Sequence, residues 1–173
     1  MSIHNCRDNF LGMDFKKLFK RLDFWIQGYN HEAVEEGGLV LHNQEIWLLG
    51  QIALVVASVD LDLAQTKDVD AKSHLGYPAY IEFERLLAKN GLYLDAHSSE
   101  IWMPEETEYE VFYRGKSLVV YLPKPDYVLL SKAKMAPDKN KSLILEYLAT
   151  KPSHLFFSLA RKYSLSLEVF LDR

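Results

Sequence analysis

Apolar residues recur every three or four positions from Asp14 to about Tyr29, a spacing that predicts an amphipathic helix. The run Glu35-Glu-Gly-Gly38 is expected to end the helical pattern. A second such pattern extends from Pro78 to about Lys89, where proline suits the first helical turn and Asn90-Gly91 is a stop signal. Two helices of the amphipathic type are therefore expected in the first half of the chain.

Shorter apolar runs between and after these helices predict strands and further helices. The predicted strands are Ile46–Leu49, Val69–Ala71, Leu92–His97, Glu100–Met103, Tyr109–Tyr113 and Leu118–Leu122. The last two flank Arg114-Gly-Lys-Ser117, which has the spacing of a β-hairpin turn. Helices are predicted from Gln51 to about Ser58 and over 126–135, 139–149 and 153–163.

This order of elements predicts an α+β (mixed α/β) fold, a small mixed sheet flanked by helices with a helical C-terminal layer. We expect residues 1–12 to be loose and residues 13–173 to form a single domain. Within it, residues 39–122 would form the α/β core and residues 123–173 the helical part.

Composition narrows the function classes. Cys6 is the only cysteine among 173 residues, so an internal disulfide and a cysteine-built zinc site are excluded. No apolar run approaches the ~18 residues of a membrane span, and no secretory leader is visible, so we expect a cytoplasmic protein. The net charge of −4 argues against a broad nucleic-acid surface. Two basic clusters, around Lys20 and around Lys139, are more typical of solvated helix faces than of binding sites.

The most informative chemistry lies in Thr66-Lys-Asp-Val-Asp70, which follows a strand–glycine–helix unit. On an extended backbone, residues two apart point to the same face, so Asp68 and Asp70 would present two carboxylates roughly 6 to 7 Å apart at Cα. Paired carboxylates suit a hard divalent cation and a phosphate-bearing ligand. An Asp-x-Asp on a solvated strand end, without metal, remains the alternative.

Three segments together resemble the nucleotidyltransferase-fold superfamily: Leu48-Leu-Gly-Gln-Ile-Ala-Leu54, Thr66-Lys-Asp-Val-Asp70 and Pro123-Lys-Pro-Asp-Tyr-Val-Leu-Leu-Ser-Lys132. The chain is most similar to small bacterial proteins of the AbiEii type, which belong to toxin–antitoxin and phage-defence systems. The resemblance covers about residues 39–149.

The resemblance implies a catalyst that transfers an NMP group from an NTP to a hydroxyl on RNA, protein or a small molecule. Asp68 and Asp70 match the aspartates that hold Mg²⁺, or Mn²⁺, and so would be both metal ligands and catalytic residues. Gly50 matches the first glycine of the phosphate-approaching turn, and Lys132 matches the helix lysine. The expected nucleotide-binding residues are Gly50, Gln51, Thr66 and Lys132.

The chain also departs from the family pattern. Gln51 replaces a second glycine or serine and would crowd the phosphates, Ala64 replaces a basic residue, and Asp138 stands where an acidic pair is usual. The third carboxylate, which would activate the hydroxyl, has three candidates: Glu108, Glu110 and Asp95. We assign the role to Glu110 as the sequence-based prediction.

Simpler interpretations compete with these assignments. Gly50 could serve only a tight turn, and Lys132 could be a surface lysine whose stem lies along apolar neighbours. Two functions therefore remain open. One is a metal-dependent nucleotidyltransferase, and the other is an inert module of the same fold that binds a toxin or antitoxin partner or acts as a scaffold.

Overall fold

The computed structural model describes residues 13–150 and 152–171, so the prediction for residues 1–12 lies outside the described residues. The first helix, α1, spans Phe15–Glu36, longer than its apolar pattern alone predicts. The Asp14 side chain accepts a hydrogen bond from the backbone N–H of Lys17 and caps the start. Gly37 follows the last turn with φ 70°, a left-handed conformation that glycine adopts without strain.

The remaining described elements alternate before ending in a helical layer. The strands are β1 (Gln44–Leu48), β2 (Asp68–Val69), β3 (Ala71–His74), β4 (Tyr93–Leu94), β5 (Tyr109–Arg114) and β6 (Leu118–Pro123). The helices are α2 (Gly50–Val56), α3 (Tyr77–Ala88), α4 (Pro125–Met135), α5 (Lys141–Ala149), α6 (His154–Lys162) and α7 (Glu168–Leu171).

Four strands form a mixed sheet in the order β3-β1-β6-β5. β1 lies antiparallel to β3 and parallel to β6, while β5 and β6 form the predicted antiparallel hairpin. With the helices around it, this sheet confirms the predicted α+β class.

A second, two-stranded parallel sheet pairs β2 with β4. The chain changes partners at Asp70: β2 before it pairs with β4, and β3 after it pairs with β1. The Asp70 carbonyl accepts a hydrogen bond of 2.8 Å from the N–H of Leu49. Asp70 therefore lies where the two sheets and the start of α2 meet.

One hydrophobic core joins the sheet to helices from both halves of the chain. The rings of Phe19 on α1 and Phe83 on α3 are 6.0 Å apart, and both side chains are fully buried. On the other side, α4 packs against α2 and α6, burying Tyr127 and Phe156. Because α4 is apolar on most of its surface, it lies between neighbouring helices and not at the periphery.

Several predicted boundaries are wrong, and in the segment after β4 the cause is side-chain hydrogen bonding. The predicted strand Leu92–His97 is reduced to β4, and Glu100–Met103 is not a strand because Ser98–Glu100 forms a 3₁₀ turn. Here Asp95 Oδ1 accepts from the N–H of His97, and Ser98 Oγ donates to the Asp95 carbonyl. Such bonds turn the backbone away from an extended ladder.

No helix within 13–150 or 152–171 is long and apolar enough to cross a membrane.

Candidate functional site

Asp70 and Asp95 follow the last residues of two neighbouring parallel strands. In the β2–β4 register, Val69 lies opposite Leu94, and the Asp95 N–H donates a 3.1 Å hydrogen bond to the Val69 carbonyl. Carboxyl ends of parallel strands meet at one edge, so both aspartates emerge together. Burial raises the pKa of Asp70, and the negative charge of Asp95 raises it further. The two carboxyl groups therefore act on each other directly.

Lys132 on α4 faces this pair. Its positive charge lowers the pKa of Asp70 against the effect of burial. Burial lowers the pKa of Lys132 itself, the charge of Asp70 raises it, and the charge of Lys139 lowers it. A half-buried lysine between a carboxylate and another lysine is poised to accept a further anion.

These groups line a cavity of about 300 Å³ between the strand ends, α4 and the segment that joins α4 to α5. Asp70 and Asp95 lie on its wall together with Lys132, Lys139 and Gly50. Trp102 and Ser131 contribute to the same wall, and the Ser131 hydroxyl donates a hydrogen bond to the Trp102 carbonyl. Glu100 and His97 also line it, so the cavity combines three carboxylates with two lysines and a histidine, a composition suited to a phosphate ester bound together with a cation.

Gly50 is needed at the cavity for steric reasons. It has φ +56°, and a Cβ built on it would lie 1.9 Å from Oδ2 of Asp70. Residues with a side chain rarely adopt this backbone conformation, and here one would also collide with the carboxylate. Gly50 therefore permits the close approach of Asp70. The tight turn at Gly50 thus has a steric role at the cavity.

Gln51 and Thr66, both expected to contact the nucleotide, do not line the cavity. Gln51 Nε2 donates a 2.6 Å hydrogen bond to the Ala64 carbonyl. Thr66 Oγ1 accepts from the N–H of Asp68 and donates to the Asp68 carbonyl. The two side chains instead hold the segment that leads into β2, and Gln51 does not crowd the cavity as the sequence suggested.

Asp68 is half-buried and begins β2, two residues before Asp70. Its negative charge raises the pKa of Asp70, and its hydrogen bond with Tyr93 raises the pKa of the Tyr93 hydroxyl. Asp68 does not line the cavity. Within the described part of the chain, no group of three or more His, Cys, Asp or Glu side chains is close enough to hold a metal ion by itself.

The structure places Glu110, the predicted third carboxylate, away from the aspartates. Glu110 lies on β5 opposite Leu122 and does not line the cavity. Glu108 is also elsewhere: it pairs with Lys124, which holds the pKa of Glu108 below its usual range. Asp95 is the carboxylate that lies beside Asp70.

Asp95 was among the sequence candidates, and a local signal distinguishes it. The Asn90-Gly91 stop is followed by Leu92-Tyr-Leu-Asp95, an apolar run ending in aspartate. The run Val69-Asp70 has the same form after its own loop. Val69 and Leu94 are the last residues of a parallel pair that has β3 and α3 between its strands in the chain, so the aspartates that follow them share one edge.

The donor set of the cavity fits Mg²⁺ or Mn²⁺. Both ions prefer oxygen ligands, and Mg²⁺ is commonly held by one or two carboxylates together with substrate phosphates and water. Asp70 and Asp95 supply the two carboxylates, and their mutual repulsion would be relieved by a cation between them.

Comparisons with protein-family models, with curated proteins and with solved structures found no match to this chain.

Proposed function

We propose that this protein is a metal-dependent nucleotidyltransferase that moves an NMP group from an NTP to a hydroxyl acceptor. The observation that carries the proposal is the pair Asp70 and Asp95 at adjacent parallel strand ends, facing Lys132 across one cavity. The resemblance of Thr66-Lys-Asp-Val-Asp70 and its flanking segments to the nucleotidyltransferase fold supports the same function. It also suggests a protein partner of the toxin–antitoxin kind.

Each side chain has a definite task in this proposal. Asp70 and Asp95 would hold Mg²⁺ or Mn²⁺, and the bound cation would neutralise negative charge on the reacting phosphate. Lys132 and Lys139 bind the triphosphate oxygens from the α4–α5 side of the cavity. Gly50 keeps the space in which the Asp70 carboxylate lies.

The transfer itself balances simply. The acceptor oxygen forms a bond to the α-phosphorus, the bond to the bridging oxygen breaks, and pyrophosphate leaves. The proton of the hydroxyl passes to a carboxylate, and we assign this role to Asp95. The strand-end turn fixes Asp95, because its Oδ1 accepts a 2.9 Å hydrogen bond from the His97 N–H.

A second candidate function is an inert binding module of the same fold. The absence of a compact three-carboxylate group among the described residues favours it. In that case the cavity would bind no nucleotide, and the protein would act through contacts with a partner protein.

Calorimetric titration separates the two candidates. Each NTP with Mg²⁺ is titrated into the wild type, Asp70→Asn, Asp95→Asn and the control Glu110→Gln. We expect metal-dependent binding that is lost in both aspartate variants and kept in Glu110→Gln. If the wild type binds no NTP, the inert module is favoured. If Glu110→Gln loses binding as Asp95→Asn does, the assignment of Asp95 is wrong.

Transfer is then measured with α-labelled NTP and a mixture of cellular RNA and protein as acceptor. Removing a positioned general base costs about 10²- to 10⁴-fold in rate, so Asp95→Asn should lose at least about 100-fold. Folded Asp95→Asn protein that retains full transfer would show that another group takes the proton.

A further inference from the structure

A second cavity, larger than the first, lies between α1 and α3 and shares no lining residue with the aspartate site. This groove has a volume of about 810 Å³. Its walls combine basic and aromatic side chains: Lys17, Lys20, Arg21, Phe24, Trp25 and Tyr29 from α1, Arg85 from α3, and Lys89, which directly follows α3. The proposed transfer chemistry gives it no role.

The groove is locally basic in an acidic chain. Five cationic side chains line it, against Glu32 and Glu82. Glu82 forms an ion pair with Arg85, with an Nη2–Oε1 distance of 2.5 Å. Lys17, Lys20 and Arg21 are exposed, and none of the three side chains forms an ion pair with another described residue. Their charges are therefore available to an anionic ligand.

Aromatic rings lie within the same groove. Phe24 is 76% exposed, which is unusual for a phenylalanine on a helix packed against the core. Trp25 and Tyr29 are stacked, with ring centroids 5.5 Å apart and planes at 24°. Gly28 also lines the groove, and nothing lies within 4 Å of the position that a Cβ would take there, so the space beside it is open.

The spacing of these residues makes one continuous stripe along α1. Lys17, Lys20, Phe24 and Gly28 recur every three or four residues and therefore lie on one face. From Lys17 to Glu32 the stripe extends roughly 22 Å at 1.5 Å per residue. Cations are concentrated at its N-terminal end, and rings follow towards the middle.

We propose that the α1–α3 groove binds single-stranded nucleic acid. Cations that contact successive phosphates, combined with exposed rings on which bases stack, are the two features that bind single strands without reading sequence. Phosphates would contact Lys17, Lys20 and Arg21, and bases would stack on Phe24 and Trp25. An acidic polypeptide would use the cations but has no bases for the exposed rings. The inference stands whether or not the aspartate cavity binds nucleotide.

The test is fluorescence anisotropy of the full chain with a labelled, unstructured oligoribonucleotide of about 12 nucleotides, within the range of single-strand site sizes. The variant Lys20→Glu/Arg21→Glu should bind at least about tenfold more weakly at about 50 mM salt. Its log–log salt slope should be shallower by about 1.4, since each lost phosphate contact to a single strand contributes about 0.7. The matched control is Lys72→Glu/Lys116→Glu, which changes the net charge equally at exposed positions outside the groove.

A second variant pair tests stacking. Phe24→Ala should weaken binding by about fivefold or more. The control Tyr77→Ala removes a ring that is equally exposed, at 76%, but lies outside the groove, and should leave binding unchanged. Circular dichroism verifies that all four variants fold.

Three outcomes would overturn the proposal. They are no binding by the wild type at low salt, equal losses in the groove and control variants, and displacement of the oligonucleotide by polyglutamate at equal charge concentration. The last outcome would identify an acidic protein as the ligand. None of these results depends on NTP binding at Asp70, so they are separable from a failure of the proposed enzymatic function.

Discussion

The Cβ position of Gly50 lies 1.9 Å from Oδ2 of Asp70. The Asp70 carboxylate thus lies where a side chain at position 50 would be, and it can do so only because Gly50 has no side chain. Any residue other than glycine at position 50 must displace the carboxylate that we place at the centre of the site.

Gly50→Ala should therefore lose metal-dependent NTP binding and also lose stability, by roughly 1 to 3 kcal/mol, from backbone strain and displacement of Asp70. Calorimetry and thermal unfolding measure the two effects. Gly91→Ala is the matched control, because Gly91 also has positive φ, at +73°, but nothing within 4 Å of its Cβ position. If both variants bind NTP equally well, the contact with Asp70 has no functional weight.

Asp70→Asn should make the protein more stable at neutral pH while abolishing nucleotide binding. Burial and the charge of Asp95 raise the pKa of Asp70 above its ordinary 3.8, so the folded state holds this proton more tightly than the unfolded chain. Stability is then lost as pH rises from 3.8 through the raised pKa, and asparagine removes that loss. Thermal unfolding at pH 7 should show a gain of roughly 0.5 to 2 kcal/mol.

At pH 3 the advantage of Asp70→Asn should shrink, because the wild-type carboxyl is then protonated in both states. If Asp70→Asn is less stable than the wild type at pH 7, the buried Asp70 carboxylate does not destabilise the fold as we expect. Added Mg²⁺ provides a further check, since it should stabilise the wild type and not the variant.

Glu106→Gln tests the attachment of α6 to the segment before β5. Glu106 pairs with Lys162 and accepts a hydrogen bond from the Tyr163 hydroxyl, and these contacts lower its pKa to about 2. The stabilisation is present above the ordinary pKa of 4.5 and is lost as pH falls towards about 2. Melting temperatures should therefore be lower in the variant at pH 6 and equal to the wild type near pH 2. The exposed neighbour Glu105→Gln serves as the control.

Asp23→Ala should destabilise the fold by about 2 to 4 kcal/mol, measured by denaturant unfolding. The buried Asp23 carboxylate on α1 accepts hydrogen bonds from the backbone N–H groups of Lys116 and Ser117 in the β5–β6 turn. Alanine would leave both donors without a partner. Gln27→Ala, which removes only a side-chain donor to the same carboxylate, should cost about 1 kcal/mol. Equal losses would show that Asp23 does not support the turn.

Local patterns were sufficient for the elements whose signals lie within a few residues. The apolar spacing of α1 and the stop signal at Glu35-Glu-Gly-Gly38 act over one or two helical turns, and the helix Phe15–Glu36 ends at that signal. The β5–β6 hairpin is equally local, since its turn and both strands are consecutive. Helix and hairpin formation depend on neighbours in sequence, so the sequence carries that information directly.

The site could be predicted only in part, because its partners are distant in sequence. Asp70 and Asp95 are 25 positions apart and meet through the β2–β4 register, which depends on how α3 packs on the core. The sequence alone leaves three acidic candidates, and its prediction of Glu110 differs from Asp95, the carboxylate that the structure places beside Asp70. The sequence also does not predict that residues 68–74 divide between two sheets, because the division depends on the pairing of β2 with β4 and of β3 with β1.

By itself, the amino-acid sequence determined the α+β class, most of the helices and the hairpin, and it indicated Asp70 and Gly50 as candidate site residues. The tertiary structure decided that Asp95 stands beside Asp70, that Gln51 and Thr66 serve the loop, and that the basic stripe of α1 lines a groove with α3. The physical reason is one of range. Periodicity and capping act through bonds within one element, whereas a site forms where side chains from separate elements are brought together by packing of the core.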